Sequence, residues 1–158
     1  MDSLANGDPA QIRAWQRLDP GITTSGRITA EDIDSLAFLG VRHVINLALA
    51  SHPEALANED VLLAAKGIGY THIPVPFDAP DERHFEAFCR ALDQAGRPVH
   101  VHCIANWRVS AFFYRHGLAF GGLTGPEARA RMAQQWSPET SDHPDAPAWA
   151  RFISATDS

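Results

Sequence analysis

Few folds can accommodate the run PVHVHCIANWRVSAFFYRHGL, residues 98–118. Valines alternate with histidines up to Cys103; four residues then intervene before Arg108, and the pattern becomes that of a strongly apolar helix. A strand that feeds a helix through so short a turn is the repeating unit of layered α/β architectures, and a helix this apolar has to be covered on most of its surface. The rest of the chain carries the same alternation. TAEDIDSLAFLG has a capping-box-like start at Thr29 and Asp32, apolar residues at Ile33, Leu36 and Ala37, and a stop at Gly40. VRHVINLAL (41–49) is β-branched and apolar enough for a buried parallel strand.

A helical segment near 59–66 closed by Gly67 follows, then a strand at YTHIPV (70–75). Pro74, Pro76 and Pro80 make the next stretch a stiff, extended loop. Phe85, Phe88, Cys89 and Leu92 share one face of the helix after it. Helices within 126–153 close the chain, one with Pro126 in its first turn and one docked by Trp149, Phe152 and Ile153; GITTSG (21–26) suits a strand near the sheet edge. The expected fold is α/β, a mainly parallel central sheet flanked by helices, in a single domain over 1–158.

Composition narrows the function. With 158 residues, 45% of them apolar, the chain has enough material for a core of its own. The net charge of −6, with no basic stripe, argues against a nucleic-acid partner. No apolar run is long enough for a membrane partner, and MDSLANGDPA lacks the regions of a signal peptide, so a cytoplasmic location is expected. The two cysteines, Cys89 and Cys103, make no disulfide framework. Nothing in the sequence speaks to oligomeric state.

Cys103 sits where ligands bind in open α/β sheets, beyond the carboxyl end of a strand. A strand that stops and feeds a helix leaves backbone amides without partners, and the helix dipole adds to them. Curled into an arc, such a loop cradles a tetrahedral anion and favours the thiolate, the reactive form of cysteine. Arg108 at the far end can grip two oxygens of that anion. Of the residues between, Asn106 tolerates a left-handed turn best, and Trp107 is placed to wall the pocket.

VHCIANWRVS resembles the signature of the cysteine-dependent protein tyrosine and dual-specificity phosphatases, His-Cys, five variable residues, Arg, Ser/Thr. Together with TTSGRITAEDIDSLAFLGVRHVINLAL and YTHIPVPFDAPDERHFEAF, in that family's order over residues 15 to 120, the chain resembles a group of bacterial phosphatase-like domains. The resemblance implies a dual-specificity-phosphatase-like fold and a phosphorylated protein or small-molecule substrate; no Cys/His/carboxylate set at zinc spacing supports a metal, and no cofactor is expected. It implies Cys103 as the nucleophile that becomes a phosphocysteine, and Arg108 as the phosphate clamp. Backbone N–H groups of Ile104, Ala105, Asn106, Trp107 and Arg108 would line the cradle. His102 would orient the loop and help keep Cys103 ionised, Ser110 would hydrogen-bond the thiolate and help the hydrolytic step, and an aspartate on the proline-rich loop, Asp78 in preference to Asp81, would protonate the leaving group. The loop here departs from that signature: four residues separate Cys103 from Arg108, and none is glycine.

Two other readings fit a cysteine loop of this length. A rhodanese-like sulfurtransferase would carry a persulfide on Cys103, and a silent phosphate-binding domain would hold an anion without turnover. Outside the loop the ordinary readings hold: Cys89 packs in the core, His100 shares a strand face with His102, and Arg129 and Arg131 lie on a solvated helix face. His43, His52, His72, His84, His116 and His143 are scattered as surface or satisfied core residues.

Overall fold

The computed structural model describes residues 7–155. Five strands, β1 (Gln16–Asp19), β2 (Ile22–Ser25), β3 (His43–Asn46), β4 (Gly69–His72) and β5 (Val99–His102), form one sheet in the order β1-β2-β5-β3-β4. β1 runs antiparallel to β2, and every other neighbouring pair is parallel. The helices are α1 (Ala30–Phe38), α2 (Glu59–Ala64), α3 (Glu82–Gln94), α4 (Trp107–Ala119), α5 (Gly125–Ala133) and α6 (Ala146–Ser154). The α/β reading with a mainly parallel sheet stands. GITTSG does pair, but as the second strand, because the short polar QRLD adds an antiparallel edge outside it.

The two-residue period of the strands sorts the core into two layers. Val99, Val101 and Ile45 face α3 to α6 and join the larger apolar cluster with Phe88, Phe112 and Trp149. Val44 faces the other way, with Ile33 and Leu36 of α1 and Leu63 of α2. His100, in register with Val44, and His102, in register with Asn46, therefore lie on the α1–α2 side of β5. This central strand is buried along its whole length, so whatever stands at its end is set by packing on both faces. The helix starts are as the residue types indicate. Thr29, Asp81 and Thr124 each accept the N3 backbone N–H and complete capping boxes with Asp32, His84 and Glu127.

Candidate active site

β5 ends at His102 and α4 begins at Trp107, so Cys103 to Asn106 make the whole turn. Asn106 carries it, at φ 66° and ψ 11°. Every side chain but glycine's brings a Cβ close to backbone there, and asparagine bears that cost best because its short polar side chain hydrogen-bonds locally. The same side chain ties the turn down: Nδ2 donates to the Ala14 carbonyl at 2.9 Å and to Thr24 Oγ1 at 3.0 Å. The Ile104 carbonyl accepts from Arg27 N at 2.9 Å and from Arg13 Nη1 at 3.5 Å. Only glycine fits beside it, since a Cβ on Gly26 would stand 2.5 Å from that oxygen.

The amide side of the loop is unlike its carbonyl side. Cys103 N reaches the Ser25 carbonyl at 3.4 Å, but the amides of Ile104, Ala105, Asn106, Trp107 and Arg108 donate to no acceptor among the described residues. Orphan amides in a buried turn feeding a 13-residue helix are the donors that an anion satisfies. Cys103 lies at the start of this run and is 0% exposed; Ala105 and Trp107 are the partly exposed residues of the loop.

Arg108 is buried at 7% exposure. Its Nε donates to the Val75 carbonyl at 2.8 Å, and its guanidinium lies 5.1 Å from the Phe77 ring centre. The terminal nitrogens have no hydrogen-bond partner among the described residues, so the fork is anchored at its base and free at its tips. Val75 and Phe77 belong to the proline-rich loop that carries both aspartates, and the arginine thus holds that loop against the turn. The two aspartates differ. Asp81 Oδ1 accepts from Arg83 N and His84 N as the N-cap of α3, an ordinary helix-start role. Asp78 is exposed and makes no side-chain hydrogen bond or ion pair among the described residues.

An aromatic cluster fixes the same loop from behind. The Phe77 ring lies within 6.1 Å, centre to centre, of Trp107, Trp136, His143 and Trp149, and Trp149 Nε1 donates to the Phe77 carbonyl at 2.6 Å. Trp107 stacks on Trp136 at 4.7 Å, and Trp136 Nε1 donates to the Trp107 carbonyl at 3.0 Å. Trp107 is thus packed against partners from the last third of the chain.

His102 Nδ1 lies 3.1 Å from the Cys103 carbonyl oxygen, and its Nε2 lies 2.6 Å from Glu59 Oε2. Glu59 is missed by sequence reasoning, which sees only a glutamate opening a helix; Gly26 and Thr24 are missed because strand ends of this kind are common. Ser110 departs from what the resemblance implies. Its Oγ donates to the Trp107 carbonyl at 3.1 Å, and its side chain lines a small cleft with Thr24, Gln16 and Arg131 rather than meeting the thiol. The reason is spacing: with four residues in the loop, Val109 follows the arginine directly and Ser110 falls one step further round the helix. Arg131 is not on a solvated face either. It donates to the Phe113 carbonyl at 3.0 Å over the Phe113 ring, where burial lowers its pKa. Cys89 does pack against the core, and burial pushes its thiol up to about 11. No helix among the described residues is long and apolar enough to cross a membrane.

Residues 15–117 match the family model described as beta-lactamase hydrolase-like protein, phosphatase-like domain. No curated protein matches the chain. A DUF442 protein from Shewanella putrefaciens CN-32 is 34% identical, over 92% of this chain and 89% of that one, with a TM-score of 0.79. TpbA from P. aeruginosa, solved with phosphotyrosine, is 18% identical over 88% of this chain and 82% of its own, at a TM-score of 0.68. PTPMT1, solved with PI(5)P, is 15% identical over 90% of this chain and 96% of its own, at a TM-score of 0.63.

Proposed function

The chain belongs to the family of beta-lactamase hydrolase-like phosphatase-like domains, and on that footing we propose that it is a cysteine-dependent phosphomonoester hydrolase. The observation that carries this reading is the unpartnered run of amides from Ile104 to Arg108, starting at a strand-end thiol and closed by an arginine with free tips. The amides and Arg108 bind the non-bridging oxygens of a phosphomonoester and take up the charge that grows on them during transfer. The Cys103 thiolate attacks phosphorus from the side opposite the ester oxygen. The sulfur–phosphorus bond forms as the phosphorus–oxygen bond breaks, and Asp78 gives its carboxyl proton to the departing oxygen.

In the second step water attacks the phosphocysteine, and Asp78, now a carboxylate, takes the proton that water loses. The sulfur–phosphorus bond breaks, and inorganic phosphate leaves with the thiolate restored. Asp78 suits this work better than Asp81, whose carboxylate is occupied by the helix start. Ser110 supports the loop through the Trp107 carbonyl. Because Cys103 is fully covered, a substrate enters only as the rim at Trp107 and Phe77 opens. The substrate class is a phosphorylated protein or small molecule, in keeping with neighbours of the same fold that hold phosphotyrosine and PI(5)P.

The test is hydrolysis of an activated aryl phosphate at mildly acidic pH without added metal. Turnover by the wild type that is lost in Cys103→Ser supports the reading; no turnover by folded, reduced wild type overturns it.

A further inference from the structure

The polar groups beneath the cysteine turn are not all accounted for by phosphate chemistry. Glu59 is the first residue of α2, and Asn58 before it is left-handed at φ 58° and provides no side-chain cap. That backbone turn directs Glu59 into the sheet, although a carboxylate in a first helical turn ordinarily stays in solvent. Both Glu59 and His102 have side chains only 4% exposed. Glu59 Oε1 is held from the other side by Asn46 Nδ2 at 3.3 Å, and Asn46 is the register partner of His102 on β3. Asn46 is itself fixed, donating to Tyr70 OH at 3.1 Å and accepting from Ala48 N at 2.9 Å.

The two buried histidines of β5 show what this arrangement does. His100 meets hydroxyls, Thr23 Oγ1 at Nδ1 and Ser25 Oγ at Nε2, each at 2.8 Å. Ser25 Oγ donates to the Gly26 carbonyl, so it accepts from His100 Nε2–H, and Thr23 donates to Nδ1: a neutral ring satisfied at both ends. Burial first, and charge on His102 second, push His100 well below the ordinary histidine range. His102, stacked beside it at 6.3 Å, meets acceptors at both nitrogens, a carbonyl at Nδ1 and a carboxylate at Nε2. A neutral imidazole has only one N–H to give them.

We infer that Glu59 is a positioning residue for Cys103: it holds His102 as a doubly protonated ring whose Nδ1–H anchors the Cys103 carbonyl and whose positive charge stands one residue from the thiol. Stability is a weak account of the pair, because a buried ion pair is often matched or bettered by apolar residues of similar volume. Among the other titratable groups on this face, His72, in register with Asn46 on β4, meets the Ala48 carbonyl at 2.6 Å through Nε2. His100 is neutral, and burial raises Tyr70 to about 12. Asp60, next along α2, acts on Tyr70, and no hydrogen bond or ion pair joins it to His102 among the described residues. The catalytic consequence rests on the phosphatase reading above; the protonation of His102 does not.

The experiment is long-range proton–nitrogen correlation NMR of the histidine rings of the full chain near neutral pH, in wild type, Glu59→Asp and Glu59→Gln. Both His102 nitrogens are expected to be protonated in wild type and Glu59→Asp. In Glu59→Gln, whose amide can donate to Nε2, that nitrogen is expected to lose its proton. The same proteins are mixed with an aryl phosphate under mildly acidic conditions. Phosphoenzyme formation is expected to slow about tenfold in Glu59→Gln and to recover in Glu59→Asp, with KM unchanged. An unprotonated His102 Nε2 in wild type overturns the inference even if no variant folds, and so does full-rate phosphoryl transfer by Glu59→Gln. A doubly protonated ring in a wild type that hydrolyses nothing would instead sink the phosphatase reading and leave the hold of Glu59 on His102 standing.

Discussion

Cys89 and Cys103 both lie against the larger apolar cluster, Cys103 as part of it and Cys89 packed on its edge. Cys89 stands within α3, where the backbone around it is saturated by helical hydrogen bonds and burial, the largest influence on its thiol, pushes it up to about 11 against the pull of the Arg115 charge. Cys103 stands where a strand has ended and a helix has not yet begun, at the head of five amides that have no partner among the described residues. Burial is the greater at Cys103, so exposure alone would rank the two thiols the other way round. What separates them is whether the neighbouring backbone has finished its hydrogen bonding. A thiol in a completed helix is packing material, and a thiol at an incomplete turn stands beside donors that an anion can satisfy.

That contrast can be broken most severely by substitution of the two thiols. Cys103→Ala is expected to lower kcat for an aryl phosphate by about 10³-fold or more, while Cys89→Ala leaves kcat and KM unchanged. Equal losses in the steady-state kinetics would end the comparison. Arg108→Lys keeps the charge but loses both the fork and the Nε donor to Val75, and a fall of about 10²-fold to 10³-fold in kcat/KM is expected. A rise in KM alone, with kcat unchanged, would mean that the arginine binds substrate but does not act in transfer.

The two aspartates sharpen the contrast at the next level. Asp78→Asn is expected to reduce kcat about 10²-fold for a poor leaving group and much less for an activated one. Asp81→Ala is expected to leave kcat alone and to lower unfolding stability by about 1 kcal/mol, read by denaturant titration, because its carboxylate caps α3. The reverse pattern would move the acid to Asp81. At the turn, Asn106→Gly keeps the left-handed geometry and loses the two anchors to Ala14 and Thr24, an expected cost of about 1–2 kcal/mol. Asn106→Ala adds about 1 kcal/mol of strain to that loss. Similar stabilities of the two variants would show that the backbone there does not need asparagine's tolerance.

The smallest effect belongs to Cys89. Its thiol stays protonated in the fold up to about 11, whereas in the unfolded chain it ionises near the ordinary value of 9.0. Its share of stability is therefore complete below that ordinary value and drains away as the pH rises through the folded value. Cys89→Ser is expected to flatten this alkaline limb slightly in thermal melts; an unchanged limb would mean that the thiol is better solvated than its packing indicates.

The parts of this molecule that are local in sequence could be read from it. Thr29, Asp81 and Thr124 announce their helix starts through neighbours three residues on, and Asn106 is the one residue between Cys103 and Trp107 suited to a positive φ. The central strand is legible because its β-branched run leads straight into an apolar helix. What depends on distant pairing was not legible. QRLD is too short and too polar to read as a strand until β2 lies beside it. Phe77, Trp136, His143 and Trp149 come together across 72 positions of chain, and each alone reads as an ordinary core aromatic. Glu59 meets His102 across 43 positions and looks like any acidic residue opening a helix. Ser110 misled in the opposite sense, since a signature one residue longer would have placed it beside the arginine.

The most direct measurement is mass spectrometry of the acid-quenched protein after brief mixing with an aryl phosphate. The account predicts one phosphoryl group on the peptide containing Cys103, absent in Cys103→Ser and present at full level in Cys89→Ser. Hydrolysis with no covalent adduct, or a label on Cys89, would contradict it; a persulfide on Cys103 after thiosulfate with no phosphoryl label would assign the turn to sulfur transfer instead.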